Sequence, residues 1–306
     1  MSVVLISRFD PDEWVRALVA HLPGIDLRVY PDIGDPAAIE VALVHRPRPG
    51  LLKTFPNLKA VVGLFAGVEA MVNDPELPDV PFSRMVDPLL TRDVAHYIVL
   101  HTLRHYREQP LLEASQRAGQ WAPRPPPPLA ATVGIMGMGE IGGLAARMLL
   151  DLGFAVRGWT RTPKSIPGVE SFAGRERLPA FLAGTHLLAL ALPLTATTAG
   201  ILNRTTLAAL PQGAAIINAG RGGHVVDADL LAALDRGHIA HATLDVFSPE
   251  PPPADHPFWR HPKITITPHT AGDPRPESVA ALAADNVRRA LAGKPLLFPV
   301  DRTRGY

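Results

Sequence analysis

The sequence predicts an α/β fold built on parallel β-sheets. Short apolar runs of strand length alternate with helical patterns along most of the chain, which is the pattern of repeated βαβ units. One of these runs leads through a glycine-rich turn directly into a helix, as in many doubly wound sheets. The chain has 306 residues, and at roughly 150 residues per domain this length suits one large or two ordinary domains.

Ten strands are predicted, in two series that a proline-rich segment separates. They are Val3–Ile6, Leu27–Val29, Ala42–Val44, Ala60–Gly63, Thr132–Met136, Ala155–Trp159, Leu187–Leu192, Ala215–Asn218, Ala242–Asp245 and Ile264–Thr267. The separating segment, Trp121–Pro128, has the composition of a stiff polyproline-like connector. An ordinary surface loop is an equal alternative for it.

Five helices are predicted between and after these strands. The first begins at Pro11, the second runs from Thr91 to about Ala118, and the third from about Glu140 to Leu152. The fourth covers Asp227–Arg236, and the fifth about Pro276–Leu291. Asp10 is a suitable N-cap for the first helix, since proline is favoured in the first turn that follows. Asp227 is the predicted N-cap of the fourth helix, and Gly237 lies just past its end.

The composition excludes several classes of protein. Apolar residues make up 47% of the chain and charged residues 19%, which is typical of a globular protein. The formal net charge of +1 argues against a nucleic-acid partner, because phosphate binding needs a surplus of Lys and Arg. Cysteine is absent, which excludes disulfides, thiolate metal sites and cysteine nucleophiles, and fits a reducing compartment.

No segment is predicted to direct export or to cross a membrane. The first residues lack the basic region of a signal peptide. The uncharged stretch Leu178–Asn203 is long enough to span a bilayer, but Pro179, Gly184 and Pro193 interrupt it, and its continuous apolar part is only Leu187–Leu192. We therefore expect a cytoplasmic protein with no membrane partner.

The glycine-rich turn GMGEIG predicts a dinucleotide-binding site, because it lies between a strand and a helix. Gly137 would allow the tight turn, Gly139 would let the backbone approach a pyrophosphate, and Gly142 would let the helix pack closely on the strand. The helix N-terminus would then present free N–H groups to the phosphates. A glycine-rich turn without a ligand is the alternative.

The end of the following strand favours NADP(H) over NAD(H). An NAD-specific site usually has an acidic residue there for the ribose 2′-hydroxyl. This sequence instead has Thr160, Arg161 and Lys164, and no acid before Glu170. A carboxylate would repel a 2′-phosphate, whereas Arg161 and Thr160 would bind one. The alternative is that Arg161 is an ordinary solvated cation, and NAD(H) remains a possible second cofactor.

Three motifs with chemically useful residues follow in the second series, each just after a predicted strand. They are NAGRGG with Arg221, LDVFSPEPPP with Asp245 and Glu250, and TPHTAG with His269. Each residue alone could be structural or an exposed charge. Together they match the needs of 2-oxo acid reduction: an arginine for the substrate carboxylate, a histidine as proton donor, and a carboxylate that keeps the histidine protonated and oriented.

These motifs, in this order, resemble the D-isomer-specific 2-hydroxyacid dehydrogenase family over essentially the whole chain. The resemblance implies that Arg221, Glu250 and His269 are the catalytic residues, and that Arg221 and His269 also contact the substrate. It implies a cofactor site made of Gly137, Gly139, Glu140, Ile141, Gly142, Thr160, Arg161, Lys164, Leu192, Pro193, Thr198, Ala219, Arg221 and Asp245. No metal is implied.

Within the family, the strings GWTRTPKSIPGVESFAGRE and VDRTRGY resemble the glyoxylate/hydroxypyruvate reductase A group, which prefers NADPH. The resemblance implies that the backbone N–H groups of Ala66 and Gly67 bind the substrate carboxylate. It places His45 and Phe65 at the pocket wall, where the group carries an aromatic and a small residue respectively. The substrate expected is a short 2-oxo acid, with a larger or smaller 2-oxo acid as alternatives.

The family resemblance also implies the domain organisation. It predicts two Rossmann/flavodoxin-like, doubly wound parallel-sheet domains with an active-site cleft between them, whose closure excludes water. Residues 1–93 and 276–306 would form the substrate-binding domain, and residues 94–275 the dinucleotide-binding domain. The helix from Thr91 to Ala118 resembles the segment through which family members dimerise, so a homodimer is expected.

The sequence bears on three alternative functions. A metal site of His256, His261 and His269 is disfavoured, because the first two are five residues apart and prolines surround them. Formate dehydrogenases share the fold but carry Gln at the position of Glu250. A non-enzymatic dinucleotide sensor, like the C-terminal-binding-protein corepressors of the superfamily, keeps the same catalytic set, and the sequence leaves that alternative open.

Overall fold

In the computed structural model, the parts of the chain that the structure describes, residues 2–125 and 131–305, contain twelve β-strands and nine α-helices. The strands are β1 (Ser2–Ile6), β2 (Asp26–Val29), β3 (Ile39–Val44), β4 (Ala60–Gly63), β5 (Phe82–Ser83), β6 (Thr132–Met136), β7 (Ala155–Thr160), β8 (Val169–Ala173), β9 (Leu187–Leu190), β10 (Ala214–Asn218), β11 (Ile239–Leu244) and β12 (Ile264–Ile266). The helices are α1 (Pro11–Val19), α2 (Glu69–Val72), α3 (Pro88–Tyr106), α4 (Gln109–Arg117), α5 (Glu140–Asp151), α6 (Leu178–Ala183), α7 (Arg204–Ala208), α8 (Asp227–Asp235) and α9 (Pro276–Leu291).

The chain divides into two units, each with its own sheet. Unit 1 comprises Met1–Leu90 and Asp273–Tyr306, and unit 2 comprises Thr91–Gly272. In both units helices connect the strands of a parallel sheet, which confirms the predicted α/β fold class. Of the predicted connector, Trp121–Pro128, the first five residues are exposed and have no regular structure, and the remaining three lie outside the described residues.

All ten predicted strands are present, with ends that differ by a few residues. Two strands, β5 and β8, were not predicted. The first has only two residues. The second is an edge strand that pairs with β7 alone, and its Glu170 and Ser171 are exposed. Because an edge strand needs no continuous apolar run, neither segment carries the pattern that identified the others.

Two predicted helix features are wrong. The helix expected from Thr91 to Ala118 is broken into α3 and α4, with Glu108 at a φ of 51° between them. Pro110 lies in the first turn of α4 and has no N–H to donate to the carbonyl group of Tyr106, so one helix cannot continue through it. The N-cap of α8 is Val226 rather than Asp227, whose carboxylate instead pairs with His256 Nε2 at 3.3 Å.

The sheet of unit 1 has the strand order β2-β1-β3-β4-β5, and all its pairings between these strands are parallel. Helix α1 begins as predicted, since the Asp10 carboxylate accepts the N–H of Asp12 at 3.0 Å. Helix α9 packs against α1 and against β3 and β4. The order reverses between β1 and β3, where the N–H of His45 donates to the carbonyl group of Ile6 at 2.8 Å.

The sheet of unit 2 has the strand order β12-β11-β10-β9-β6-β7-β8, again with parallel pairings throughout. Strands β9 and β10 are buried along their whole length, as central strands of a sheet covered on both faces should be. The chain order reverses between β6 and β9. Ligands of open parallel sheets bind beyond the carboxyl ends of the strands at such a reversal, so this point locates the candidate site.

The stretch Leu178–Asn203 contains the predicted buried strand, β9, with its loops, and also the short helix α6, which was not predicted. In the described ranges, none of the helices combines the length and the apolar character needed to cross a membrane.

A cluster of buried histidines joins α3 to β11 in unit 2. The His105 and His241 rings lie 5.2 Å apart, and His105 Nε2 forms a hydrogen bond with Thr243 Oγ1 at 2.9 Å. His101 lies one turn earlier on α3 and is 6% exposed. Burial lowers the pKa of His101 and His241 to about 4 and that of His105 to about 3. The cluster is therefore neutral in the folded protein at pH 7.

This cluster predicts a loss of stability in mild acid. The unfolded chain binds protons on these rings below their ordinary pKa of about 6.5, whereas the folded chain binds them only near pH 3–4. The stabilisation is therefore complete above about pH 6.5 and falls as the pH is lowered. We expect His105→Asn to reduce the dependence of the unfolding free energy on pH by up to about 1.4 kcal/mol per pH unit in this window. Urea unfolding at a series of pH values measures it.

His96→Asn is the matched control, because His96 lies on the same helix but is exposed. We expect that variant to keep the wild-type pH dependence. Equal slopes for His105→Asn and wild type would show that the cluster does not cause the acid sensitivity. The comparison uses the slope rather than the stability at pH 7, since His105→Asn also loses its buried hydrogen bond.

Candidate active site

The glycine turn between β6 and α5 has the geometry of a dinucleotide-binding turn. Gly137 has a φ of +96°, and its N–H donates to the carbonyl oxygen of Trp159 at 2.9 Å. A Cβ on Gly137 would lie 2.5 Å from the carbonyl oxygen of Ala191, and one on Gly142 would collide with the carbonyl oxygen of Gly137. The first and third glycines are therefore required by packing within the chain.

Gly139 differs from its two neighbours in the motif. A Cβ there would meet no atom of the described chain within 4 Å, and its φ is −73°. It precedes Glu140, the first residue of the twelve-residue helix α5, where unpaired N–H groups and the helix dipole attract anions. Open space at this position fits a pyrophosphate. Glu140 is exposed and Ile141 half-buried beside it.

The residues predicted to select NADP(H) follow the carboxyl end of β7. Thr160 Oγ1 donates to the carbonyl oxygen of Thr162 at 2.7 Å, and Arg161 is exposed. Lys164 Nζ donates to the carbonyl oxygen of Met138 at 2.5 Å, which ties this segment to the glycine turn. Glu170 forms an ion pair with Arg157 Nε at 2.8 Å. The segment thus places cationic side chains next to the glycine turn, and the carboxylate of Glu170 is paired with Arg157.

The loop after β9 is organised by Thr198. Its Oγ1 donates to the carbonyl oxygen of Pro193 and accepts the N–H of Thr195, both at 2.8 Å. Thr198 and Leu192 are each 8% exposed. The loop therefore has a defined shape beside the glycine turn, whose Gly137 lies against Ala191.

The turn that carries Arg221 follows β10 and is held by buried polar side chains. Asn218, which is fully buried, accepts the N–H of Gly220 at 3.1 Å and donates to the carbonyl oxygen of Arg221 at 3.0 Å. Arg221 is half-buried, and its Nη1 donates to the carbonyl oxygen of Gly220 at 2.7 Å. Ala219, half-buried, is the first residue after the strand.

His224 also holds this turn, and the sequence did not single it out. Its ring is fully buried, and its Nδ1 accepts the N–H of Arg221 at 3.1 Å. Since Nδ1 accepts, a neutral ring carries its proton on Nε2, which lies 3.3 Å from the carbonyl oxygen of Pro193. His224 thus joins the Arg221 turn to the loop after β9. The only signal in the sequence was its position three residues after Arg221.

The Arg221 turn also packs against the segment after β11. A Cβ on Gly222 would overlap the backbone carbonyl group of Phe247, so only glycine permits this approach. The N–H of Phe247 in turn donates to Glu250 Oε2 at 3.1 Å. The backbone of the arginine turn and the Glu250 carboxylate are therefore linked through one residue.

His269 and Glu250 form the ion pair that the sequence predicted. His269 Nδ1 lies 2.5 Å from Glu250 Oε1, and each side chain is 36% exposed. With Nδ1 directed at the carboxylate, Nε2 is the ring nitrogen available to a substrate. The backbone of His269 has a φ of 53°, and its N–H donates to the carbonyl oxygens of Asp245 at 2.9 Å and Thr267 at 3.0 Å.

The Asp245 carboxylate is buried, with 1% exposure, and organises the turn around His269. Its Oδ1 accepts hydrogen bonds from Thr267 Oγ1 at 2.5 Å and from the N–H of Thr270 at 2.9 Å. Its Oδ2 accepts the N–H of Ala271 at 3.0 Å. The predicted contact of Asp245 with a nicotinamide stays a prediction, and the observed contacts give the residue a second role.

Besides Arg221 and His269 in unit 2, the predicted substrate residues lie in unit 1, where two of them are largely buried. His45 is 3% exposed, and its ring lies edge-on to those of Trp14 at 4.4 Å and Phe9 at 5.2 Å. This burial lowers the pKa of His45 to about 4. Phe65 is 8% exposed and belongs to the core of the unit. Their roles as pocket walls stay predictions.

Ala66 and Gly67, the predicted carboxylate-binding residues, are half-buried in the loop between β4 and α2. Their role also stays a prediction.

The histidines of the metal alternative each pair with a different carboxylate. His256 pairs with Asp227 at 3.3 Å and His261 with Asp235 at 3.2 Å, while His269 pairs with Glu250. Within the described residues, no cluster of three or more His, Asp or Glu side chains is arranged to hold a metal ion.

The glycine turn predicts different effects for two alanine substitutions. Gly139→Ala adds a methyl group where the chain leaves space, so the melting temperature should stay unchanged while NADPH binding weakens at least about tenfold. Gly137→Ala should lower the melting temperature, because of its positive φ and the contact with Ala191. Thermal unfolding and fluorescence titration with NADPH measure both. Wild-type NADPH affinity in Gly139→Ala would place the dinucleotide elsewhere.

Comparisons with known proteins identify the family of this chain. A sequence model of the D-isomer specific 2-hydroxyacid dehydrogenase NAD binding domain matches residues 99–271. The chain is 41% identical over 305 residues to the glyoxylate/hydroxypyruvate reductase A of Yersinia enterocolitica, covering 97% of each chain. Among solved structures, it matches a D-isomer specific 2-hydroxyacid dehydrogenase from Xanthobacter autotrophicus in complex with NADPH, with a TM-score of 0.96, 44% identity, and coverage of 100% of this chain and 99% of that one. It also matches an NADPH-dependent glyoxylate/hydroxypyruvate reductase from Sinorhizobium meliloti in complex with NADP, with a TM-score of 0.93, 37% identity, and coverage of 100% and 99%. The chain therefore belongs to the D-isomer-specific 2-hydroxyacid dehydrogenase family.

Proposed function

We propose that this protein reduces glyoxylate and hydroxypyruvate to the corresponding 2-hydroxy acids with NADPH, the product having D configuration where it is chiral. The observation that carries the proposal is the His269–Glu250 pair in a chain that also has the dinucleotide-binding glycine turn. The relatives that are named glyoxylate/hydroxypyruvate reductase A, at 41% identity over 97% of this chain, support the choice of substrate.

Each residue of the site has a defined part in the proposed reaction. The Arg221 guanidinium binds the substrate carboxylate, and the backbone N–H groups of Ala66 and Gly67 contribute to the same contact. His269 Nε2 donates a proton to the carbonyl oxygen of the substrate. The Glu250 carboxylate, at 2.5 Å from Nδ1, holds the imidazole in the orientation that this transfer requires. Bound NADPH supplies the hydride that C2 of the substrate receives.

The choice of NADPH over NADH rests on the segment after β7. Thr160, Arg161 and Lys164 are proposed to surround the 2′-phosphate, since the guanidinium and ammonium groups neutralise its charge. The Thr160 hydroxyl would donate to the phosphate in place of its present acceptor, the carbonyl oxygen of Thr162. Gly139, Glu140 and the first turn of α5 are proposed to bind the pyrophosphate.

The two units are proposed to divide the reaction between them. Unit 2 corresponds to the dinucleotide-binding domain, predicted as residues 94–275, and unit 1 to the substrate-binding domain. The match of the NAD binding domain to residues 99–271 supports this assignment. A separately expressed fragment of residues 91–272 that is folded but does not bind NADPH would contradict it.

We propose a homodimer and a cytoplasmic location. The dimer rests on α4, which buries none of its residues in the described chain, and on exposed apolar side chains near it: Leu111 is 46% exposed and Trp121 98% exposed. Exposed apolar side chains of this size favour contact with a second protein chain. A molecular mass of one chain in solution, measured by light scattering, would contradict the dimer.

The proposed cytoplasmic location rests on the cysteine-free composition, and cell fractionation tests it.

The experiment that tests the function is oxidation of NADPH and NADH, followed by absorbance, with glyoxylate, hydroxypyruvate, pyruvate and phenylpyruvate. We expect turnover with the first two and a preference for NADPH. His269→Ala should reduce kcat by about 10²–10⁴-fold, because it removes the general acid, and should keep the NADPH affinity.

Two results would contradict the proposal. Near-wild-type activity of His269→Ala would exclude His269 as the proton donor. NADPH binding without turnover of any compound in the panel would favour the dinucleotide-sensing alternative or a different 2-oxo acid.

Arg161→Ala should raise the KM for NADPH by about tenfold or more, since a charge-assisted contact with phosphate is lost. The KM for NADH should change little, because NADH has no 2′-phosphate. Arg236→Ala, at an exposed arginine after α8, is the matched control and should change neither constant. An unchanged KM for NADPH in Arg161→Ala would assign the 2′-phosphate to other residues.

A further inference from the structure

A line of hydroxyl groups leads from α3 to the turn that carries His269. The Tyr97 hydroxyl lies 2.7 Å from Thr267 Oγ1, and Thr267 Oγ1 lies 2.5 Å from Asp245 Oδ1. Tyr97 is 8% exposed and Asp245 1% exposed, so the two ends of the line lie in the interior of unit 2, and Thr267 between them is half-buried. None of the reaction steps proposed above uses Tyr97 or Thr267.

The donors and acceptors of this line have one possible order. Thr267 Oγ1 donates its single proton to the Asp245 carboxylate. Since that proton is used, Thr267 can only accept from Tyr97, and the Tyr97 hydroxyl is the donor. Burial raises the pKa of Tyr97, so the phenol keeps its proton. Hydrogen bonds in a chain of this kind polarise and strengthen one another.

The end of the line holds the backbone of three consecutive residues. The Asp245 carboxylate accepts the N–H groups of Thr270 and Ala271, and the Asp245 carbonyl oxygen accepts the N–H of His269. His269 has a φ of 53°, which a residue other than glycine adopts only when its surroundings impose it. The Asp245 carboxylate therefore holds the two residues that follow His269, while the Asp245 carbonyl oxygen holds His269 itself in this backbone conformation.

The other end of the line is fixed in α3. The ring of Tyr97 lies 4.3 Å from that of His101, and His105 one turn further bonds to Thr243 on β11. Helix α3 is thus attached to the strand that immediately precedes Asp245. The Tyr97 hydroxyl is held at a fixed place relative to the carboxylate.

We propose that Tyr97 and Thr267 are positioning residues for His269. They fix the Asp245 carboxylate, which holds Thr270 and Ala271 directly after His269, and so they set the direction in which His269 presents its proton. This inference rests on the proposed function, because it assumes that His269 is the proton donor. Neither residue is proposed to touch the substrate or NADPH.

The substitutions that test this are Thr267→Val, which removes the hydroxyl group at nearly constant shape, and Thr267→Ser, which retains it. Tyr97→Phe removes the first donor. Thr265→Val is the matched control: Thr265 lies two residues earlier, on β12, and its hydroxyl bonds to His241 Nε2 at 3.0 Å rather than to Asp245. Circular dichroism and thermal unfolding establish that each variant is folded.

The first readout needs neither cofactor nor substrate. Amide hydrogen exchange of the segment 268–272 in the protein alone reports whether the N–H groups of Thr270 and Ala271 keep their acceptor. We expect faster exchange there in Thr267→Val and Tyr97→Phe, and wild-type exchange in Thr267→Ser and Thr265→Val. Exchange that is unchanged in Thr267→Val, or raised equally in Thr265→Val, would overturn the proposal.

The second readout separates positioning from binding. A displaced His269 should lower kcat by about 10–100-fold in Thr267→Val, as misplaced catalytic groups do, while the dissociation constant for NADPH stays the same. Thr267→Ser should restore kcat to within a few-fold of wild type. Unchanged kcat together with raised exchange would show that the line stabilises the turn without directing His269, and would also overturn the proposal.

The two proposals fail in different ways. If the wild-type protein turns over none of the 2-oxo acids, the proposed function fails, whatever the exchange data show. If wild type turns over substrate and Thr267→Val behaves like Thr265→Val, the function stands and the positioning role of Tyr97 and Thr267 fails.

Discussion

The parallel arrangement of the unit 2 sheet is the constraint on which the candidate site depends. Because all seven strands run in the same direction, their carboxyl ends lie at one edge. The glycine turn follows β6, the cationic segment follows β7, and the Thr198 loop follows β9. The Arg221 turn, the Glu250 segment and the His269 turn follow β10, β11 and β12. Residues more than a hundred positions apart in sequence therefore lie at the same edge of the sheet, each in the loop directly after its strand.

Buried polar side chains then give each of these turns its shape. A turn has few backbone hydrogen bonds of its own, so buried side chains must supply the missing partners. Asn218 and His224 do so for the Arg221 turn, and Asp245 does so for the turn at His269. In each case the group that would carry out chemistry is partly exposed, and the group that holds it is buried. Rigidity and access to ligand are thus provided by different residues.

Much of this could be predicted from the sequence because its signals are local. The apolar runs identified the strands, and the spacing of Gly137, Gly139 and Gly142 identified the turn whose packing the structure explains. His269 and Glu250 were paired from motifs alone, and the structure brings them together. The edge strand β8 was missed because its exposed residues give it no continuous apolar pattern. The break between α3 and α4 follows from Pro110, which interrupts an amphipathic pattern that is otherwise continuous.

The residues that support the site could not be predicted in the same way. Tyr97 and Thr267 are 170 positions apart, and their contact exists only because α3 packs on the sheet. No sequence motif marks His224, and its role depends on contact with the carbonyl oxygen of Pro193 in the loop after β9. Contacts of this kind are determined by tertiary packing, for which neither periodicity nor residue type gives a local signal.

The placement of the proposed catalytic residues in one unit has a consequence for how such a protein can change. Arg221, Asp245, Glu250 and His269, with the side chains that hold them, all lie between Thr91 and Gly272. The side chains predicted to meet the variable part of a substrate, His45 and Phe65, lie in the other unit, which has a separate core. Mutations that alter which acid is accepted can therefore accumulate without disturbing the hydrogen bonds that serve the chemistry. A division of this kind allows one ancestral mechanism to diversify towards many metabolites.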